Sequence, residues 1–320
     1  MIRSRSVVAV LLFLVSALAF AQAYPNKPVR VVIPYAASGS GDVVARTIGA
    51  KLAEAWGQQV LIDNRPGAGG NIGTEYVAKQ PADGYTLLLG SDIQMGINPH
   101  IFRKLPYDPE KDFLPIAPLT NNEFMLFVHP SVPANNLAEL VALLKANPGK
   151  YSYGSAGVGS THHLSMELLK LAAGFDAVHV PYKGFGQAMA DTMSGQLQMS
   201  FATIALITPL LKAGKVRPIA IGAAQRVDAA PGVPTIAETY PGLEANASWN
   251  YFAPAGTPRE IVMKINADAN RILAMPEVRE RLTSQGLFPV GGTPEKLAAR
   301  MKADYEKWGK VVRAIDLKPE

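Results

Sequence analysis

The sequence contains no cysteine, which excludes a disulfide framework, a thiolate metal site and a lipoprotein-type lipid anchor. Charge is sparse as well. Asp, Glu, Lys and Arg make up 18% of the residues against 48% hydrophobic ones, a balance that supports a globular core rather than disorder. The positive residues are dispersed, with no basic stripe carrying interleaved aromatics, so nucleic acid is not an expected partner. Catalytic signatures are missing too: there is no Gly-Lys-Ser/Thr phosphate loop, no Gly-x-Ser-x-Gly elbow and no His-x-x-x-His ligand spacing. Neither a cofactor, a metal nor a catalytic residue is expected.

What is present begins with a leader. Arg3 and Arg5 precede an apolar run over residues 7–20, and Ala21-Gln22-Ala23 supplies the small-x-small pattern a signal peptidase reads. Residues 1–23 are therefore expected to be a signal peptide removed near Ala23/Tyr24, leaving a mature protein soluble in a bacterial periplasm. A membrane anchor is the competing reading, but the run is short for one, and no later segment is long enough to span a bilayer. The formal charge of +5 includes Arg3 and Arg5; without them 29 basic residues face 26 acidic ones, a charge of +3. That mild excess suits an anionic ligand.

From Tyr24 onward, short β-rich runs alternate with helical ones. Strands are expected at Val29–Ile33, 59–63 and 85–90, with helices over 43–56, stopped by Gly57, and from 74 to 79. This order implies a mostly parallel sheet covered on both faces. Residues 99–118 lack periodicity and are expected to cross the surface. A second series starts with a strand at 124–128 and a helix at Leu137–Ala146, with Asn136 and Glu139 as a capping box. It continues through the strand opening at Tyr151, strands at 177–180, 197–203 and 216–222, and a helix over 187–194. The last third holds helices over 261–273 and 297–312, introduced by Thr257-Pro258-Arg259-Glu260 and Thr293-Pro294-Glu295. Leu297, Met301, Tyr305 and Trp308 share one helical face, which is expected to pack on the protein itself. A chain of 320 residues accommodates the two α/β lobes this pattern suggests.

Two strand-to-helix turns stand out. Tyr153-Gly154-Ser155-Ala156-Gly157-Val158-Gly159-Ser160-Thr161 presents hydroxyls and bare backbone N–H groups at a helix start, and Tyr35-Ala36-Ala37-Ser38-Gly39-Ser40-Gly41-Asp42 repeats that chemistry earlier. One such loop is an ordinary α/β connection. Two, one on each lobe, would clamp an anion. Neither is a dinucleotide fingerprint, because Val44 stands where the third glycine belongs and Gly154, Gly157 and Gly159 reverse the spacing. Asp42 reads as a macrodipole partner and cap rather than a general base. His162 and His163 are neighbours on a helix and point about 100° apart, which argues against a metal pair.

Several motifs in order resemble the Bug family. They are Val31-Val32-Ile33-Pro34-Tyr35 with its turn and Asp42, Asn64-Arg65-Pro66-Gly67-Ala68-Gly69-Gly70, Leu105-Pro106-Tyr107-Asp108-Pro109, Val180-Pro181-Tyr182-Lys183-Gly184 and Pro254-Ala255-Gly256-Thr257-Pro258. Bug proteins are the periplasmic solute receptors of tripartite tricarboxylate transporters. The resemblance covers essentially the whole mature chain and implies the type II periplasmic-binding-protein fold, two α/β lobes with a ligand cleft between them. Lobe 1 would be 24–123 plus 251–320 and lobe 2 would be 124–250, with hinges near Asn121-Asn122 and Ser248-Trp249-Asn250. It further implies ligand contacts at Tyr35, Ser38, Gly39, Gly41 and Asp42 from the first loop and at Ser155, Ala156, Gly157, Ser160 and Thr161 from the second. Ser91, Ala202 and Thr203 complete the implied set.

The first loop departs from the family's common Pro-Pro-Gly-Gly-Ser-Thr-Asp: Ser38 adds a hydroxyl and Gly41 removes one. Gln198 and Ala202 occupy positions where relatives often carry acids. An amino dicarboxylate would lack a partner for its ammonium, so an extended or aromatic dicarboxylate, terephthalate-like, is the expected ligand. The resemblance thus implies a monomeric, non-catalytic receptor delivering a carboxylate to the transporter's membrane permease subunits. Two other readings share the fold: a sensory receptor for a two-component kinase, and an enzyme acting on a small acid, which would need a pair of mutually tuned titratable groups.

Overall fold

The computed structural model describes residues 24–317, so the expected leader lies outside the described residues. Val29, Val31, Val32 and Ile33 are fully buried and make β1 (Val29–Ile33) the inner strand of a parallel trio, flanked by β2 (Val60–Asn64) and β3 (Thr86–Gly90). Helix α1 (Ser40–Trp56) follows β1 and stops at Gly57, whose φ of 62° lets its N–H close on Ala53 O. Helix α2 (Asn71–Ala78) follows β2. After β3, one wide helical turn (Ile93–Ile97) runs directly into α3 (Asn98–Ile101).

The next strand, β4 (Phe113–Val128), is 16 residues long and joins two sheets. Its first part pairs antiparallel with β9 (Asn246–Pro254), from Phe113 opposite Pro254 to Glu123 opposite Asn246, and β9 also pairs with β3. From Phe124 onward it pairs instead with β7 (Met199–Thr203) and β8 (Arg217–Ile221). Residues 99–118 therefore do not simply cross the surface as expected: they include most of α3 and the start of β4, where Ile116 and Ala117 are fully buried. The prolines that suggested a loop sit beside register shifts between Pro115 and Ala117 and between Pro118 and Thr120, and at such bulges a missing ladder N–H costs little.

In the second lobe β5 (Ser152–Ser155) runs parallel to β6 (Val178–Pro181) and to β7. Helices α4 (Leu137–Ala146), α5 (Thr161–Ala173) and α6 (Phe185–Met193) connect these strands. Asn136 caps α4 by accepting from the Glu139 N–H, while the Glu139 carboxylate reaches back to the N–H of Asn135. Helix α7 (Ile204–Lys212) follows β7 at once and is additional to the expected elements; Pro209 inside it breaks the usual helical pattern.

The chain then returns to the first lobe with α8 (Arg259–Leu273), α9 (Pro276–Thr283), β10 (Leu287–Pro289) on β4, and α10 (Pro294–Ala314). Thr293 caps α10 as expected, accepting from the Lys296 N–H. Thr257 does not cap α8; its hydroxyl turns back to Pro254 O at 2.8 Å and Pro258 takes the cap position. On the apolar face of α10, Leu297 and Trp308 are buried whereas Tyr305 is 39% exposed. Trp308, Val311 and Val312 pack with Ile97 of the first lobe and Leu164 of α5 in the second. One helix thus leans on both lobes.

Candidate ligand-binding site

A cavity of about 480 Å³ lies between the lobes. Tyr35, Gly69, Ile93, Asn98, Ile101 and Phe102 line it from the first lobe, Ala156, Val158, Gly159 and Ser160 from the second, and Leu317 beyond α10. No charged side chain is among them. Most of the wall is apolar, with polar atoms gathered at Tyr35, Asn98 and the second turn.

Tyr35 owes its setting to a residue the sequence does not advertise. The fully buried Gln94 accepts at Oε1 from the Ser91 N–H and hydroxyl, at 3.0 and 2.9 Å. Its Nε2 then donates to the Tyr35 hydroxyl at 2.6 Å and to Gly69 O at 3.1 Å. The Ser91 donors choose this amide orientation, because the opposite one would set N–H against N–H. The Tyr35 oxygen thus accepts from the Gln94 amide within the protein. Burial pushes the phenol up to about 12, so it remains a donor at every physiological pH. Ser91 acts behind this pair and does not line the cavity.

The rest of the first loop lies beyond Tyr35. Ser38 has φ 72° and Gly39 takes the cap position of α1 without a side-chain bond. Asp42 spends its carboxylate on Arg46, in two hydrogen bonds of 2.8 and 3.1 Å, and Arg46 holds it below the usual carboxylate range. Gly41 lies against the six-membered ring of Trp249: a Cβ there would stand 2.7 Å from Cη2.

The second turn uses its hydroxyls on itself. Ser155 Oγ and Ser160 Oγ both bond Gly157 O, at 3.1 and 2.7 Å, and Ser160 caps α5 by accepting from the His163 N–H. Gly157 and Gly159 have φ of 119° and 75°, conformations that favour glycine. Thr161, first residue of α5, is buried. Of the residues the resemblance implies, the structure places Tyr35, Ala156 and Ser160 on the cavity wall, whereas Ser155, Gly157 and Thr161 belong to the same turn but do not line it.

Ala202 and Thr203 stand apart. Ala202 is buried in a core cluster with Met125 and Phe127, and Thr203 takes the cap position of α7. Gln198 precedes β7, at the opposite end of that strand from Thr203 and roughly 16 Å along it at 3.3 Å per residue. There it accepts from the Ser152 N–H and hydroxyl, both at 2.9 Å, so its amide fastens the start of β5 and does not tune the far side of the cleft as expected. His162 stacks between Phe124 and Phe185, with ring centres 5.2 and 4.1 Å away. Among the described residues no cluster of His, Asp and Glu is arranged to hold a metal ion.

The profile of a family described as the tripartite tricarboxylate transporter family receptor matches residues 44–317. The UPF0065 protein of the tcbD-tcbE intergenic region of Pseudomonas sp. strain P51 is 36% identical over 292 residues, covering 91% of this chain and 87% of that protein. BugT of Bordetella pertussis is 33% identical over 300 residues, 93% of this chain and 92% of that one. Among solved structures, Rpa4515 of R. palustris with adipate superposes with a TM-score of 0.78 at 35% identity, over 93% of this chain and all, 100%, of that one. MatC of Rhodopseudomonas palustris with bound malate gives 0.72 at 35% identity, over 90% and 100% of the two chains.

Proposed function

The chain belongs to the tripartite tricarboxylate transporter receptor family, and from that premise we propose that it captures an organic carboxylate in the periplasm and delivers it to a membrane permease without altering it. The observation that carries this reading is the cavity between the lobes, which has hydrogen-bond donors at one end and, among the described residues, no charged side chain. Helix-start amides and a neutral phenol can hold a carboxylate. The apolar remainder, with Ile93, Ile101, Phe102 and Val158, favours a ligand with an uncharged body. Among the described residues no acid lines the cavity for an ammonium, which counts against amino dicarboxylates. The finer reading is an extended or aromatic dicarboxylate of the terephthalate type; of two structural relatives, one holds adipate, an extended dicarboxylate, and the other the shorter malate.

Closure is proposed to turn on the β4–β9 ladder, where lobe 1 (24–123 and 251–320) gives way to lobe 2 (124–250). Binding would favour the closed form, and the permease would recognise that form. The test is titration calorimetry of mature, refolded protein against aliphatic, amino and aromatic mono- and dicarboxylates, with each ligand recovered and analysed. One tight ligand per chain, returned unchanged, is expected. No binding across the panel would overturn the carboxylate reading, and a converted ligand would overturn the receptor reading.

A further inference from the structure

Gly41 and Trp249 come from elements far apart in the chain, yet they meet beside Tyr35. The indole of Trp249, 8% exposed, stands where a side chain at position 41 would go: a Cβ there would be 2.7 to 3.0 Å from three of its ring carbons. Its Nε1 lies 3.1 Å from Ser40 Oγ, and the same oxygen is 3.2 Å from Nδ2 of Asn122. The Tyr35 ring meets the indole edge-on, with centroids 5.6 Å apart. Trp249 belongs to β9 and faces Thr120 of β4, two residues before Asn122, in the ladder that joins the lobes. Asn122 is itself buried, with no partner for Oδ1 among the described residues.

We propose that Trp249 is a positioning residue for the ligand site: with Gly41 leaving room for it, the indole takes the place of a residue-41 side chain, fixes Ser40 and Tyr35, and sets the shape of the donor end of the cleft. The loop's donors are then aligned by a ring on the strand about which the lobes turn, so the width of the ligand's carboxylate end is selected by the fit of Trp249 against Gly41. This rests on the carboxylate-receptor reading and deepens it. A side chain at 41 and the indole of Trp249 in this place exclude one another.

A double-mutant cycle tests the pair. Affinity for the tightest carboxylate of the wild-type panel is measured by calorimetry, and unfolding midpoints are recorded beside it, for wild type, Gly41→Ala, Trp249→Leu and the double variant. Gly41→Ala is expected to weaken binding at least tenfold when Trp249 is present and less than threefold when it is introduced into the Trp249→Leu variant. Trp249→Phe keeps a ring and loses the N–H to Ser40, and should weaken binding threefold to tenfold. Additive losses in the cycle, or wild-type affinity in Trp249→Phe, would overturn the proposal. Failure of the wild type to bind any carboxylate would instead fall on the receptor reading, and the two failures are distinct.

Discussion

The imidazole of His163 stacks on that of His179 with ring centres 3.9 Å apart and planes 11° from parallel. His163 Nδ1 accepts the Gly159 N–H at 3.1 Å, and His179 Nε2 lies 2.7 Å from Ser155 Oγ. Two rings outside the cavity thus hold both ends of the turn that lines it. The bond from Gly159 requires an unprotonated nitrogen on His163.

Acid should release this turn. Burial pushes both rings down to about 4, below the ~6.5 of a free imidazole. The unfolded chain binds these protons first, so the stabilisation is complete above about pH 6.5 and is lost as pH falls towards 4. Unfolding midpoints recorded from pH 7 to pH 4 are expected to drop, and His163→Gln to flatten the drop. Equal slopes for the two proteins would count against the assignment.

Asp92 should act with the opposite sign. Its Oδ1 accepts the Ser248 N–H at 2.8 Å, its Oδ2 has no partner among the described residues, and burial, followed by the nearby Asp304, pushes the acid up to about 6. Its contribution is fully present below the unfolded value of ~3.9 and is lost as pH rises through 6. Asp92→Asn keeps the acceptor for Ser248 and cannot ionise. Urea titrations at stepped pH should show the variant gaining on the wild type from pH 4 to pH 7; a gap that does not change with pH would refute this.

Gln94→Ala should cost about 2 to 3 kcal/mol, because it strands the buried Ser91 donors and frees Tyr35. Carboxylate affinity should fall at least tenfold in the same variant. Gly70→Ala is expected to reproduce both effects, since φ is 91° and a Cβ would collide with the Gln94 amide. Calorimetry and thermal unfolding together check this, and an unchanged affinity in Gln94→Ala would dismiss the Tyr35 relay.

Phe102→Ala should act on the ligand's body instead. Removing an aromatic wall from the cavity is worth about 1 to 2 kcal/mol towards an aromatic or long aliphatic acid. Short acids such as malate should lose little. Similar losses for both classes in a calorimetric series would move the apolar end of the ligand elsewhere.

Local chemistry made part of this protein legible in one dimension. The β-branched run of β1, the stop at Gly57, and the caps at Asn136 and Thr293 each depend on residues within a few positions of one another. The two glycine and serine turns belong to the same class; Tyr35, Ala156 and Ser160, which line the cavity, are named only through the family resemblance. Prolines misled over 99–118, because whether a proline breaks a strand depends on bulges formed with a partner more than a hundred residues away.

The sequence by itself determined the alternation of strands and helices, the two helix-start turns and the family, since these rest on periodicity, capping and motif order. Only the tertiary structure decided that Gln94 orients Tyr35, that Phe102 and Leu317 wall the cavity, and that Trp249 stands on Gly41. Those relations join segments distant from one another in the chain, where packing rather than local propensity chooses the neighbour.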